Sequence, residues 1–319
     1  MASSHLISRV TILGTGLIGG SFALALRKHT QGMRITGWDR ADIAQQARAR
    51  GAVDESFSGD LVPALRNADL IYIALPIAAT LDLLPEIARH APLHALVTDA
   101  CSTKLRITQA AAELFPGDSG PFFLAGHPMA GRELSGLAHA DAELFRETRY
   151  ALVRESSDSL VPESSDSAVA AGLKPRASSP AKEPTSSHDP RVAAFLKLLE
   201  KIGAQPLWLG AQQHDYAVGL VSHLPQLAAV ALASFLYDRL DENGLPIALA
   251  GPGLRDSLRL AGSPYSTWRD IVLTNKEVLS AALDLFSRRL DDLRERLASR
   301  ELEADFDAAN ELYKLLRSF

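Results

Sequence analysis

From Arg9 to about Leu209 the chain alternates short, continuously apolar runs with stretches whose apolar residues recur every three or four positions. Continuous runs suit strands buried on both faces, and the periodic stretches between them suit helices that cover those faces. The pattern therefore predicts a parallel sheet wrapped by helices. Strands are expected over Val10–Leu13, Arg34–Trp38, Leu70–Ala74, Leu96–Asp99, Phe122–Ala125, Tyr150–Val153 and Gln205–Trp208, and an amphipathic helix over Arg191–Ile202. From Ala211 onward the strand pattern is absent, and helices are expected over Gln212–Leu240, Lys276–Arg300 and Leu302–Leu316.

This divides the chain into an α/β domain over 1–209 and an all-α domain over 210–319. The stretch 155–190 interrupts the first domain. It is rich in Ser, Pro and Ala, poor in aromatics, and carries the near-repeat of Glu155–Pro162 in Glu163–Ala170, so it is expected to be a disordered insertion. In the second domain, Leu279, Leu283, Phe286, Leu290, Leu293 and Leu297 keep a three-and-four spacing over more turns than one small domain needs to cover itself, which predicts a homodimer packed through these helices.

Charge and cysteine content narrow the function classes. The formal net charge of -5 comes from interspersed acids and bases with no basic stripe, which argues against a nucleic-acid partner. The single cysteine, Cys101, has no partner for an internal disulfide, and no charged and apolar leader precedes the first strand, so the cytoplasm is the expected compartment. The longest apolar stretches are broken by Asp, Arg, His or Pro before reaching the roughly 18 to 20 residues of a span, so no membrane segment is expected.

The first strand runs into Gly14-Thr15-Gly16-Leu17-Ile18-Gly19 and then a helical pattern, with Asp39 closing the second strand. In a dinucleotide-binding fold Gly14 makes the tight turn, Gly16 lets a pyrophosphate approach backbone N–H groups, and Gly19 lets helix and strand pack closely. The α/β domain is thus read as Rossmann-type. A carboxylate at Asp39 accepts from ribose hydroxyls and repels a 2′-phosphate, which favours NAD, while the neighbouring Arg40 leaves NADP possible. Two polar segments follow later strands: 99–104, Asp-Ala-Cys-Ser-Thr-Lys, and 126–131, Gly-His-Pro-Met-Ala-Gly. His127 is the candidate base for removing a hydroxyl proton, with Ser102 to orient the ring; taken alone, a histidine between Gly and Pro suits a structural loop equally well.

Together with the glycine motif, these segments, Ser-His-Leu-Pro at Ser222–Pro225 and the Gly-Leu-Arg-Asp-Ser-Leu-Arg-Leu-Ala-Gly-Ser stretch ending at Ser263 resemble the prephenate/arogenate dehydrogenase family over nearly the whole chain. The resemblance implies an NAD-dependent oxidative decarboxylation on the route to tyrosine, with no metal. It implies that His127 accepts the ring hydroxyl proton while hydride leaves for the nicotinamide, that Ser102 bonds this histidine and the cofactor, and that Arg259 clamps a substrate carboxylate. His223 resembles a pocket histidine, with a helix-packing histidine as the other reading. Glu133 resembles an acid at the pocket entrance, with a solvated loop acid as the other. Gln226 stands where many relatives carry a second histidine, leaving the substrate side-chain contact open between prephenate and arogenate. Cys101 is expected to be a packing residue. With no fused or regulatory module in view, a monofunctional enzyme is expected. The rival readings are another two-domain dehydrogenase or imine reductase, expected to place a lysine or another base on the helical domain, where no comparable lysine-centred motif stands, and a non-catalytic NAD-binding sensor, which has no need of His127, Ser102 and Arg259 together.

Overall fold

A computed structural model describes residues 7–115, 120–131, 134–153, 189–240, 244–299 and 301–317. Six strands, β1 (Arg9–Leu13), β2 (Arg34–Trp38), β3 (Glu55–Phe57), β4 (Leu70–Ile73), β5 (Leu96–Asp99) and β6 (Phe122–Leu124), form one parallel sheet in the order β3-β2-β1-β4-β5-β6. Helices α1 (Leu17–His29), α2 (Ala41–Ala49), α3 (Val62–Leu65), α4 (Ile77–His90) and α5 (Leu105–Leu114) make the connections. Every residue of β4 and β5 is buried, as a sheet covered on both faces requires. The strand order reverses between β1 and β4, which opens a crevice at their carboxyl ends.

Two features depart from the sequence pattern. β3 has no apolar run to announce it: its three half-buried residues pair with β2 because the chain passes beside that edge. The second departure concerns the candidate base. His127 lies in a strand, β7 (Gly126–Pro128), and not in a loop. β7 pairs antiparallel with β8 (Arg149–Val153), which pairs parallel with β9 (Gln205–Leu209), so the last expected strands build a second, three-stranded sheet. Helix α6 (Pro190–Lys201) precedes β9 and starts at a proline, with the Asp189 side chain accepting from the Arg191 N–H at 2.8 Å. Glu133 and residues 154–188, which hold all of the expected insertion but its last two residues, lie outside the described residues.

The remainder is helical: α7 (Ala211–Val218), a π turn (Gly219–His223), α8 (Leu224–Tyr237), α9 (Leu245–Ala248), α10 (Pro252–Leu258), a 3-10 turn (Arg259–Gly262), α11 (Tyr265–Thr274), α12 (Lys276–Glu295) and α13 (Glu303–Leu316). Ala211–Tyr237 is a continuous 27-residue stretch that by length and composition alone is long and apolar enough to cross a membrane, against the expectation from the interrupted runs. Its inner face carries the buried polar residues His214, Asp215, His223 and Gln226, which pack against the rest of the chain. The outer faces of the helical half leave Phe235, Leu285, Phe286, Leu290 and Phe306 exposed, an apolar surface of the kind that marks an interface.

Candidate active site

The glycine turn has the geometry its spacing predicts. Gly14 has φ +90°, and a Cβ there would sit 2.5 Å from the Ala74 carbonyl oxygen; a Cβ on Gly19 would fall 1.9 Å from the Gly14 oxygen. Both positions therefore exclude side chains. At Gly16 a Cβ would meet nothing within 4 Å, so the backbone at the start of α1 faces open space. No side chain caps that helix end and its first turn holds no acid, leaving N–H groups directed at an incoming anion. Leu17 and Ile18 pack against the main core. Asp39 ties the turn to the end of β2: its Oδ2 accepts from Thr15 N at 2.7 Å and Thr15 Oγ1 at 3.2 Å, and its Oδ1 from Arg40 N at 2.7 Å. A carboxylate has about four acceptor positions, so one side of Asp39 remains for ribose hydroxyls. Arg40 is exposed. These residues fit a dinucleotide.

His127, half-buried in β7, meets a residue that no motif had marked. Its Nδ1 lies 2.9 Å from His214 Nε2 on α7, and His214 Nδ1 lies 2.8 Å from Asp215 Oδ1. Asp215 also accepts from the backbone N–H groups of Lys104 at 2.7 Å and Leu105 at 2.9 Å, so a carboxylate from the helical half caps the uncapped start of α5. Asp270, on α11, does the same at α4, accepting from Ala78 N at 3.0 Å while paired with Arg269. These two acids lock the helical half onto the carboxyl ends of β4 and β5.

Burial, reinforced by His214, Lys104 and His223 nearby, holds His127 well below the ordinary imidazole value of 6.5. Burial lowers His214 as well, partly opposed by its bond to Asp215. His223 is pulled down to about 4, again chiefly by burial. All three rings are neutral at pH 7, and a neutral imidazole is the form that takes up a proton.

Beneath His127 lies a buried ion pair. Lys104 Nζ donates to Asp99 Oδ2 and, at 2.6 Å, to the Gly126 carbonyl, while Asp99 accepts from Gly126 N at 3.1 Å and Cys101 N at 2.9 Å. Both backbone groups of Gly126 are thus held, which fixes the strand that presents the next residue, His127. A Cβ on Gly126 would strike the Asp99 backbone carbonyl oxygen and the Tyr150 ring, each at 2.9 Å. Cys101 is buried with its thiol pushed up by burial, consistent with packing.

His223 closes the π turn. Asn275 Nδ2 lies 3.1 Å from His223 Nδ1 and donates to the Asp215 carbonyl at 2.8 Å, and the Trp268 ring meets His223 edge-on. Gly219 makes the close approach to α12 possible, since a Cβ there would lie 2.5 Å from Val278. One turn beyond His223, Gln226 Nε2 donates to the Leu260 carbonyl at 2.9 Å, and its Oε1 is buried without a partner among the described residues. Leu260 belongs to the 3-10 turn that begins with Arg259, which is exposed.

Comparison with known proteins decides what this arrangement belongs to. The pattern described as "Prephenate dehydrogenase, nucleotide-binding domain" matches residues 22–160, and that described as "Prephenate dehydrogenase, dimerization domain" matches 210–317. The chain belongs to the prephenate dehydrogenase family. It is 31% identical to the prephenate dehydrogenase of Lactococcus lactis over 93% of this chain and 73% of that protein, and 30% identical to that of Bacillus subtilis over 92% and 71%. Among solved structures it resembles the Aquifex aeolicus prephenate dehydrogenase crystallised with hydroxyphenyl propionate and NAD+, with 25% identity, TM-score 0.79 and coverage of 99% of both chains. It also resembles the Synechocystis arogenate dehydrogenase, with 27% identity, TM-score 0.67 and coverage of 97% and 96%.

Within this family framework the structure gathers some expected residues and separates others. His127 and His223 belong to one buried cluster, joined through His214, Asp215 and Asn275. Ser102 is half-buried and makes no hydrogen bond to a described residue; the partner of His127 Nδ1 is His214. Arg259 stands on the exposed turn tied to α8 through Gln226. Sequence reasoning missed His214, Asp215, Asn275, Asp99 and Lys104. The last two sit inside a quoted motif, and the adjacent His-Asp pair at the start of a helix is the one local signal for the others.

Proposed function

We propose that this chain oxidatively decarboxylates prephenate or arogenate with NAD as hydride acceptor. NAD bound at the Gly14–Gly19 turn supplies the oxidant. The chain's own task is to orient the substrate and move one proton. His127 takes the ring hydroxyl proton as that carbon is oxidised to a carbonyl; carbon dioxide then leaves, its bonding electrons pass through the ring to the carbonyl oxygen, and His127 returns the proton to the aromatic phenolate. Arg259 holds a substrate carboxylate, His223 and Gln226 line the substrate side, Ser102 and Glu133 complete the surroundings, and Asp39 selects NAD. The observation that carries this reading is His127: a half-buried, neutral imidazole on the strand after β6, hydrogen-bonded among the described residues through one nitrogen only.

Gln226 bears on which substrate is preferred. The Leu260 carbonyl only accepts, so the amide nitrogen faces it and the buried Oε1 is an acceptor without a donor among the described residues. The alanyl ammonium of arogenate donates, and the pyruvyl group of prephenate does not. NADH formation with arogenate, prephenate and a panel of hydroxyacids tests both statements. Turnover with either cyclohexadienol supports the function, and a higher kcat/KM for arogenate supports the role of Gln226; turnover confined to the hydroxyacids overturns the reading.

The same reading includes a homodimer in the cytoplasm. The exposed apolar faces of the helical half and the match to a dimerization domain support the first, and the lone buried Cys101 suits a reducing compartment.

A further inference from the structure

We propose that His214 and Asp215 act as positioning residues that decide which nitrogen of His127 is the base. The inference rests on the reading of His127 as proton acceptor and extends it. Asp215 receives two backbone N–H groups, one on each carboxylate oxygen, and lies against His214 Nδ1. A carboxylate only accepts, so the proton of that contact resides on His214 Nδ1. A neutral imidazole carries one proton, which leaves His214 Nε2 as a bare lone pair. The 2.9 Å contact to His127 Nδ1 then requires the proton to sit on Nδ1. His127 Nε2 is consequently unprotonated, and no described residue bonds it.

The chain of two rings and one carboxylate thus hands a single tautomer to the catalytic imidazole, with Nε2 available to the substrate hydroxyl. It also prepares for the charged state. Once Nε2 holds the substrate proton, the imidazolium keeps its Nδ1–H directed at His214, with the carboxylate beyond it. The charged groups beside the relay, Lys104 and Asp99, are paired with each other, so Asp215 is the carboxylate joined to His214. Asn275 holds the Asp215 carbonyl and His223 together from the α12 side.

Two measurements test this. In the intact wild-type enzyme, imidazole nitrogen NMR is expected to show His127 with a protonated Nδ1 and an unprotonated Nε2; the opposite tautomer overturns the relay without any variant. For the second, His214→Gln keeps a carbonyl acceptor for the His127 Nδ1–H, whereas His214→Phe keeps a flat ring and loses the acceptor. The relay predicts that Phe lowers kcat by about 100-fold, the lower end of a general base's contribution, with KM little changed, and that Gln recovers most of the loss. A merely structural role predicts the reverse order, because Phe preserves the packing better. If His127→Asn abolishes turnover while His214→Phe does not, the relay fails and the base assignment stands; if His127→Asn is active, the base assignment itself fails.

Discussion

His127 and His214 meet nitrogen to nitrogen at 2.9 Å, one from a three-residue strand and the other from the first helix of the helical half. The base is therefore positioned by residues more than 80 positions away in the chain, through a helix that the α/β half receives as the cap of α5. Both halves are needed to build it.

Replacing His127 with Asn removes the proton acceptor and keeps a polar side chain of similar reach. Turnover is expected to fall by roughly 10²- to 10⁴-fold, the usual contribution of a positioned base, with the dissociation constant for NAD little changed. Steady-state kinetics alongside a direct titration of NAD check it. Equal loss of NAD binding contradicts a role confined to proton transfer.

The buried histidines predict how stability follows pH. His223 is lowered to about 4 in the folded chain from an ordinary 6.5, so between these values the unfolded chain binds a proton that the folded chain does not. Its contribution is fully present above about pH 6.5 and is lost as pH falls toward 4, by about 3 kcal/mol over that window. His127 and His214 shift in the same direction. Thermal melting should therefore move to lower temperature from pH 7 to 5, and His223→Asn should flatten that dependence.

Lys104 and Asp99 are both fully buried. Lys104→Met leaves the Asp99 carboxylate buried without its cation, expected to destabilise the fold by about 3–5 kcal/mol. The double replacement Lys104→Met, Asp99→Leu removes the stranded charge and should recover part of the stability, measured by urea unfolding, while leaving turnover low because Gly126 is no longer held. Full activity in the double variant would show that the pair does not position His127.

Gly16 and Gly19 differ in what they tolerate. Gly19→Ala drives a Cβ into the Gly14 carbonyl and should impair folding. Gly16→Ala meets nothing in the chain, so the melting temperature should hold while NAD affinity drops, because the new methyl occupies the space where the pyrophosphate would lie. An unchanged NAD affinity in Gly16→Ala would place the cofactor elsewhere.

Much of this organisation is legible in the residues. The apolar runs mark seven of the nine described strands within one residue at each end; in β4 and β5, buried throughout, this follows because strands covered on both faces leave little room for polar residues. The glycine turn and Asp39 are equally visible, because φ +90° and a 1.9 Å approach leave glycine as the only residue that fits. The amphipathic pattern of α12 runs on from Leu279 and Ala282, which the chain covers, to Phe286 and Leu290, which stay exposed among the described residues. β3 and β7 escape notice because neither carries a continuous apolar run of the kind that marks the equally short β6, and their existence depends on which edge the chain passes.

What the sequence alone determines here is local: which segments are strands or helices, where a dinucleotide turn belongs, and which imidazole stands beside a family motif. Tertiary structure decides the second sheet, the capping of α4 and α5 by Asp270 and Asp215, the Lys104–Asp99 pair beneath Gly126, and the two rings that join His127 to Asp215. The physical reason is that backbone shape and burial pattern act over a few residues and leave their trace in composition. A buried polar group, by contrast, takes whatever partner the fold brings within about 3 Å, and that partner carries no mark of its role in its own neighbourhood.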